Sequence, residues 1–313
     1  MVSVPATTTS MIPATLSVAV GSATDVGGRS SNEDAIVAIP LPDGAAQHAR
    51  AAGEPAFLLA VADGMGGPEG GEIASALAVQ ALRETALASG GADPALMLKQ
   101  AFRKANEAIW QQGGANGADP MGTTLTAALV QGKFVAIASL GDSRAYLLRG
   151  SGITQVTKDH SLVAEQIASG RLRPADARTH PQRNVLTQAL GLKPKLDKDF
   201  PPVYELSLLP DDRLLLCTDG FYDVVSDADL AAALSGIEAV DAASSLVALA
   251  KERGTTDNVS AVVAQAVPTR IPTPISAPAA HKGGVSGMLI AAIVVVVLVA
   301  VIAALFLLGV VGS

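Results

Sequence analysis

The amino-acid sequence predicts an α+β layered sandwich, and two of its features lead to this fold class. Runs of strand-like apolar residues alternate with pairs of amphipathic helical segments, which differs from the regular strand-helix-strand order of a parallel sheet. At 313 residues the chain is long enough to bury a sizeable hydrophobic core, so folding requires neither a disulfide nor a structural metal. One globular domain with additional terminal segments fits this length best.

The first half of the predicted domain contains three strands followed by two helices. The strand-like runs cover residues 16–24, 34–40 and 56–63. Each helix has one apolar stripe, formed by Ile73, Leu77 and Ala81 in the first and by Leu98, Phe102, Ala105 and Ile109 in the second. We expect both helices to lie flat on a sheet with these stripes facing it.

The second half returns to strands and ends with a helix and a strand. Four strand-like runs cover residues 123–131, 133–142, 144–150 and 212–219, separated by glycine or aspartate turns. A short helix is expected after Ser226, and a longer helix over 241–253 should end at Gly254 in the C′ position. The last predicted strand covers residues 258–267.

Charge and cysteine content exclude several kinds of function. The formal net charge is −7 and no basic stripe is visible in the sequence, so no nucleic-acid partner is expected. Cys217 is the only cysteine, which excludes an internal disulfide and leaves a zinc ribbon without ligands. Because Cys217 lies within an apolar strand-like run, we expect it to pack in the core.

The segment 288–311 is a predicted transmembrane helix. It contains 24 uncharged and mostly aliphatic residues. A helix of this length reaches about 36 Å, enough to cross a bilayer core of roughly 30 Å. Arg270 and Lys282 precede the segment and no basic residue follows it, which predicts a tail anchor in the cell membrane with the large N-terminal part in the cytoplasm.

Composition also predicts where the folded domain begins and ends. Residues 1–15 lack the basic start of a signal peptide and are expected to form a flexible leader to a domain over 16–267. Residues 268–287 contain four prolines and several small residues, which is typical of an extended, semi-rigid tether.

Six acidic residues fall at the ends of predicted strands. They are Glu33, Asp34, Asp63, Asp142, Asp219 and Asp257. Carboxylates at the ends of neighbouring strands can converge on one rim, where at neutral pH they repel one another unless they are protonated or bridged by cations. Oxygen ligands without histidine or cysteine favour magnesium or manganese over zinc. Each residue taken alone is better explained as a turn or cap residue, whereas the set together indicates a metal site.

Seven segments of the chain, in order, match the motifs of one enzyme family. They are RSSNEDA (29–35), VADGMGG (61–67), MGTTLTAALV (121–130), SLGDSRAYLLRGSGITQVTKDHS (139–161), THPQRNVLTQALG (179–191), LLLCTDGFYDVVSD (214–227) and GTTDNVSAVV (254–263). Through these segments the chain resembles the metal-dependent protein serine/threonine phosphatases of the PP2C (PPM) type, in particular the compact bacterial members. The resemblance implies a four-layer α-β-β-α sandwich with a dinuclear Mn²⁺ or Mg²⁺ centre at one end.

The resemblance also implies a ligand set for the two metal ions. Asp63 would bridge them, Glu33 and the carbonyl oxygen of Gly64 would complete one ion, and Asp219 and Asp257 would hold the other. Two cations about 3.5–4 Å apart can activate a water for in-line attack on phosphorus, so the chemistry requires no protein nucleophile.

Three further residues receive roles from the resemblance. Asp142, together with Asp219, matches the positions that bind a weaker third ion in bacterial members. Arg29 matches the arginine that grips the substrate phosphate, for which a planar guanidinium is suited. Asp34 resembles a hydrogen-bond acceptor for a metal-bound water.

The general acid is the point on which the sequence departs from eukaryotic relatives. Met65 replaces their histidine, and a thioether has no proton to donate. His160 and His180 fall in or near the segment 157–190, which matches a mobile flap in the family, and they are open either as catalytic groups or as packing and substrate contacts. Asn184 occupies a position that in some relatives supplies a further ligand to the third ion.

The resemblance and the predicted anchor together imply a membrane-anchored phosphatase that hydrolyses phosphoserine and phosphothreonine in proteins and opposes a serine/threonine kinase. The expected partners are phosphorylated proteins, that kinase and the lipid bilayer. Two alternatives stay open. One is a membrane-tethered pseudophosphatase that binds phosphoproteins without turnover, and the other is a hydrolase of small phosphomonoesters.

Overall fold

The computed structural model describes residues 16–42, 56–114, 120–268 and 299–300 of the chain. The chain divides into two compact units, 1–269 and 270–313, and the elements named below belong to the first. The predicted span 288–311 falls outside the described residues except at 299 and 300. Among the helices that the structure describes, none combines the length and the apolar character needed to cross a membrane.

Two antiparallel sheets form the centre of the first unit. From edge to edge, the first sheet contains β1 (Leu16–Asp25), β11 (Val259–Pro268), β10 (Arg213–Cys217), β7 (Arg144–Arg149) and β8 (Gly152–Gln155). The second contains β2 (Asp34–Leu41), β3 (Ala56–Met65), β5 (Leu125–Gln131), β6 (Phe134–Leu140) and β9 (Val203–Ser207), and the short β4 (Gly122–Thr123) pairs with β3. Apolar side chains from both sheets, such as Val18 and Leu59, form one core cluster between them.

Helices cover the outer face of each sheet. The outer face of the second sheet packs against α1 (Gly67–Ala88) and α2 (Pro94–Ile109), and that of the first against α4 (Asp219–Tyr222), α5 (Asp227–Leu234) and α6 (Ala239–Glu252). The short α3 (Leu162–Ala168) lies in the segment 157–190. Three apolar clusters thus separate four layers in the order α-β-β-α, which is the predicted fold.

The buried face of α1 differs from the predicted one by one residue. Ala74, Ala78, Leu82 and Ala86 are fully buried, whereas Ile73 of the predicted stripe is 38% exposed. Leu77 and Ala81 of the predicted stripe are partly buried and pack against the core, so the prediction is wrong at Ile73 only and the centre of the buried face, which is mostly alanine, lies one residue further on. Alanine adds little to an apolar pattern in the sequence, although its small side chain lets a helix pack closely. In α2 the predicted stripe is confirmed, since all four of its residues are buried.

Local signals account for where α2 and α6 begin or end. The Asp93 carboxylate caps α2 by accepting a hydrogen bond from the backbone N–H of Leu96 at 3.0 Å, and Pro94 follows it. Helix α6 ends before Gly254, whose φ of +79° is the left-handed conformation that the C′ position requires.

Candidate metal centre

The second sheet places Asp34 beside Asp63. Asp34 is the first residue of β2 and Asp63 lies near the end of β3, and the two face each other in the antiparallel register. The backbone N–H of Gly64 donates a hydrogen bond to the carbonyl of Glu33 at 3.1 Å, so Glu33 lies at the same end of the strand pair. Gly64 packs against the backbone of Gly71, and this close approach leaves no space for a side chain at position 64.

The remaining predicted acids come from other parts of the sandwich. Asp219 begins α4 just after β10, Asp257 lies two residues before β11, and Asp142 is in the turn between β6 and β7. Each carboxylate therefore lies at or close to one end of a strand, as predicted, and neighbouring strands bring these ends together.

One cavity collects this set. It has a volume of about 340 Å³, and among its lining residues are Arg29, Glu33, Asp63, Gly64, Asp142, Asp219 and Asp257. Every predicted site residue except Asp34 therefore lines one cavity. Asp34 is not among these lining residues, and the Thr218 and Ser260 hydroxyls donate hydrogen bonds to its Oδ2 at 2.9 and 2.7 Å.

The carboxyl groups are strongly perturbed. Burial is the largest cause in each case and raises the pKa of Asp219 to about 6, of Asp34 to about 7 and of Asp142 to about 8. Burial also raises the pKa of Asp63 well above its usual range, and the charge of Asp219 raises it further. These groups therefore resist carrying several negative charges together without a compensating cation.

Two oxygen atoms of the cluster are buried and have no hydrogen-bond partner. They are Oδ1 of Asp34 and Oδ1 of Asp219. A buried acceptor without a partner is costly, and most such atoms in proteins are satisfied. Together with the absence of histidine and cysteine from the cavity lining, these two oxygens fit hard divalent cations such as Mn²⁺ or Mg²⁺.

The carboxylates line one cavity, but they do not converge on a single position as a complete set of metal ligands would. Within the described part of the chain, no three acidic, histidine or cysteine side chains are grouped tightly enough to hold an ion by themselves. Magnesium-type ions commonly keep several waters and take only one or two carboxylates, so the donor set still fits such ions with water completing the shell.

Arg29 is bound to the same cluster. Its Nη2 donates to Oδ2 of Asp257 at 2.6 Å, while the arginine side chain stays 55% exposed. The loop that carries Arg29 is held by Asn258, whose Nδ2 donates to the carbonyls of Val26 and Ser31 at 2.9 and 2.8 Å. The guanidinium therefore faces solvent at the cavity edge with donors free for a second anion.

Two supporting residues were missed by sequence reasoning. Thr124 Oγ1 accepts a hydrogen bond from the backbone N–H of Asp63 at 2.9 Å and lies 2.7 Å from the hydroxyl of Ser143. Asn258 Oδ1 accepts from the backbone N–H of Glu33 at 2.8 Å. Both occur inside matched motifs, beside Thr123 and Asp257, but a hydrogen bond across 61 or 225 residues leaves no local signal in the sequence.

The histidines lie elsewhere. The ring of His160 packs edge-on against Phe200 with centroids 5.2 Å apart, and its Nδ1 lies 3.1 Å from the backbone of Gly141. His180 accepts a hydrogen bond from the backbone N–H of Gln182, and neither histidine is among the residues that line the metal cavity. Asn184 does line it. These contacts favour a packing role for His160 over catalysis, and the structure places His180 outside the lining of the metal cavity.

Cys217 is fully buried, as predicted. Burial raises the pKa of its thiol to about 12, so it stays protonated and unreactive at neutral pH.

Sequence comparison gives a family. The model of the family described as Protein phosphatase 2C matches residues 20–259. The chain is 40% identical over 214 residues to serine/threonine protein phosphatase PstP of Mycobacterium tuberculosis, an alignment that covers 68% of this chain and 41% of that protein. It is 33% identical over 214 residues to serine/threonine phosphatase stp of Listeria innocua, covering 66% of this chain and 84% of the relative.

Solved structures agree with this result. The crystal structure of M. tuberculosis PstP/Ppp superposes with a TM-score of 0.69 at 37% identity, covering 80% of this chain and 99% of that one. The catalytic domain of PstP in complex with two manganese ions gives a TM-score of 0.68 at 36% identity, with the same coverage. With the family motifs, the four-layer fold and the acidic cavity in agreement, the chain belongs to the protein phosphatase 2C family.

Proposed function

We propose that this chain is a metal-dependent protein serine/threonine phosphatase that hydrolyses phosphoserine and phosphothreonine. The observation that carries this proposal is the single cavity in which an exposed arginine stands beside carboxylates from both sheets. Such a pairing suits a phosphate ester, since cations held by the carboxylates and the guanidinium all attract phosphoryl oxygens.

The residues that would hold two ions are those of the cavity. Asp63, Glu33 and the Gly64 carbonyl would hold one ion, and Asp63, Asp219 and Asp257 would hold the other. When bound, two such ions would supply Lewis acidity and make water a nucleophile at neutral pH. A rigid cage made only of protein ligands is not needed, because the strand ends and α4 already limit where each carboxylate can move.

Asp142 would contribute to a third, weaker ion together with Asp219. The contact of Tyr222 supports this position, since the Tyr222 hydroxyl donates to the carbonyl of Asp142 at 3.1 Å and limits movement of the turn. Asn184 lines the same cavity and offers a neutral oxygen ligand there.

Arg29 and Asp34 would act on substrate and water. The free donors of the Arg29 guanidinium would bind two phosphoryl oxygens and hold the phosphorus in line for attack. Asp34, fixed through Oδ2 by Thr218 and Ser260, keeps Oδ1 free to accept a hydrogen bond from the attacking water. Met65 has no proton to donate, so water or another group in the cavity would have to protonate the serine or threonine oxygen as the P–O bond breaks.

The same proposal includes a location and a biological role. The uncharged segment 288–311 would anchor the phosphatase in the cell membrane with the catalytic domain in the cytoplasm, where it would oppose a serine/threonine kinase. Anchoring would raise its effective concentration toward membrane-bound phosphoproteins. Membrane fractionation of the full chain and of a variant lacking 288–311 tests the anchor, and equal recovery of both in the soluble fraction would contradict it.

Activity is tested with the full chain and a phosphothreonine peptide. We expect phosphate release with Mn²⁺, no release with EDTA, and none from Asp219→Ala with Mn²⁺. A folded protein that binds Mn²⁺ and the peptide without releasing phosphate would indicate the pseudophosphatase. A higher kcat/KM on small phosphate monoesters than on phosphopeptides would indicate the small-molecule hydrolase.

A further inference from the structure

A basic surface lies beside the metal cavity. It consists of six cationic residues, Lys99, Arg103 and Lys104 on α2 and Lys193, Lys195 and Lys198 on the loop 190–200, and is called the basic ridge below. Arg103 and Lys195 line one cavity of about 310 Å³ between the helix and the loop. Within the basic ridge there is therefore a cavity with Arg103 on the helix side and Lys195 on the loop side.

Most of these cations are unpaired. Lys193 Nζ forms an ion pair with Asp197 at 3.1 Å. Within the described residues, no ion pair involves any of the other five. The carboxylates of the same helix face and loop are Glu107, Asp197 and Asp199, so the cations outnumber them two to one on a chain whose net charge is −7. This surface therefore has the opposite sign to the chain as a whole.

The basic ridge is held rigidly. The buried Asn106 of α2 donates from Nδ2 to the carbonyl of Lys193 and accepts at Oδ1 from the N–H of Gly191, both at 3.0 Å. Leu196 and Phe200 pack against the core beneath the second sheet's helices. Because the loop is fixed to the helix, Arg103 and Lys195 are presented together and binding carries no cost of ordering the backbone.

The ridge continues from the metal cavity. Met65 lines that cavity, and a Cβ placed at Gly122 would lie 3.1 Å from Met65 Cε and 3.2 Å from Leu192 Cδ2. Leu192 is 43% exposed and precedes Lys193 in the chain. An extended peptide whose phosphoresidue occupies the cavity can thus cross the apolar surface of Met65 and Leu192 and reach the ridge.

We propose that the basic ridge binds an acidic segment of the protein substrate, on one side of the phosphoresidue that is hydrolysed. This inference rests on the proposed phosphatase activity and names the class of substrate that the same site prefers. Charge complementarity supplies the selection, because glutamate and aspartate side chains of the substrate meet cations of which five have no ion-pair partner among the described residues. Glu107, in the cavity between Arg103 and Lys195, limits how many acidic side chains enter it.

The test compares three phosphothreonine peptides of equal length with the full chain at low ionic strength. One has a neutral flank on both sides, one has four glutamates before the phosphothreonine, and one has four glutamates after it. We expect one acidic peptide to have a kcat/KM about five- to tenfold above the neutral peptide, through KM, and we expect 0.5 M NaCl to remove the difference. In R103E/K195E the preference should also be lost while the neutral peptide is hydrolysed as before.

A matched control separates the ridge from general charge effects. Lys133 is an exposed lysine in the turn after β5, outside the six residues of the basic ridge, and K133E reverses its charge. We expect K133E to keep the preference. Equal kcat/KM for all three peptides in the unmodified chain, or a preference that survives in R103E/K195E, would overturn the proposal while turnover of the neutral peptide still supports the phosphatase.

A second arm addresses a lipid partner. Binding of each protein to phosphatidylglycerol vesicles is compared with binding to phosphatidylcholine vesicles. If R103E/K195E loses binding to the anionic vesicles and keeps the wild-type peptide preference, the ridge is a lipid surface and the proposal is wrong. Unchanged vesicle binding with a lost peptide preference supports the proposal.

Discussion

The two ends of β10 each hold a buried aspartate, and the protein uses them in opposite ways. Asp212, just before the strand, is 2% exposed and accepts hydrogen bonds from Arg149 Nε and Nη2 and from the N–H of Leu209. Asp219, just after it, is surrounded by other carboxylates and keeps one buried oxygen without a partner. At the first end the carboxylate has all its charge and hydrogen bonds compensated, whereas at the second end repulsion between carboxylates and an unpartnered oxygen are left, as the proposed binding of cations would require.

The Arg144–Asp159 pair extends this comparison to β7. Asp159 accepts from Nε and Nη2 of Arg144, with the shortest contact at 2.6 Å, and the guanidinium carbon lies 3.5 Å from the centroid of the Tyr222 ring. The Arg144–Asp159 ion pair and Asp142 line the same cavity, but the Arg144 guanidinium donates its hydrogen bonds to Asp159 and none to the Asp142 carboxylate. Asp212 and Asp159 are each held by a bidentate arginine and the carboxylates proposed as metal ligands are not, so burial alone does not distinguish the two groups.

The largest expected effect is on catalysis at the Asp219 end of β10. Asp219→Asn should lower kcat on a phosphothreonine peptide with Mn²⁺ by at least about 10³-fold, because several kcal/mol of charge stabilisation are lost. The urea midpoint of the metal-free protein should stay the same or rise, since one of several repelling charges is removed. A variant with near-normal kcat would contradict the assignment of Asp219 as a metal ligand.

The next effect is the pH dependence of stability without metal. The folded-state pKa values of Asp219, Asp34 and Asp142 lie near 6, 7 and 8, above the unfolded value, so the unfolded protein binds fewer protons between pH 5 and 8. The contribution of these three groups to stability is therefore fully present below about pH 4 and is lost as the pH rises through about 6 to 8, so the free energy of unfolding in EDTA should fall by several kcal/mol over this range.

Mn²⁺ should reverse that slope, because it binds the deprotonated carboxylates. Urea unfolding at pH 5.5, 6.5, 7.5 and 8 with and without Mn²⁺ measures both slopes. A metal-free stability that rises from pH 5.5 to 8 would show that the carboxyl groups are not perturbed as the structure indicates.

A smaller effect is expected at the Asp212 end of β10. Asp212→Asn should destabilise the protein by about 2 kcal/mol, because it weakens charge-assisted bonds to Arg149 in a buried position. The kcat of the folded protein should stay within about twofold of normal, since Asp212 is separated from Asp219 by the whole strand. Urea unfolding and kcat are measured on the same variant. A loss of activity without a loss of stability in Asp212→Asn would contradict the stabilising role assigned to Asp212.

The smallest effect concerns a residue that only positions Asp63. Thr124→Val removes the acceptor for the Asp63 N–H and the contact with Ser143, and should lower kcat/KM and Mn²⁺ affinity by about tenfold. Thr124→Ser keeps the hydroxyl and should restore both. If the serine variant were as impaired as the valine variant, packing of the threonine methyl group and not its hydrogen bonds would be responsible.

Some features of the structure could be predicted from the sequence and others could not. The strand ends at which Asp63, Asp142 and Asp219 occur were predictable, because apolar runs and glycine turns are local patterns. The centre of the buried face of α1 was not, because alanine carries little hydrophobic signal. The separation of His160 and His180 from the cavity was not predictable either, since it depends on how the segment 157–190 folds against Phe200 and Gly141.

Residue identity and local spacing were sufficient to predict the order of the motifs, the carboxylate chemistry of the candidate site and the family. The carboxylates that share a cavity and those that pair with an arginine could be identified only from the folded chain. Asp63 meets Asp34 through the β2–β3 register, and Arg29 meets Asp257 across 228 residues. Such contacts depend on the packing of two sheets, because hydrogen bonds and charges act over a few ångströms in space, whatever the distance along the chain.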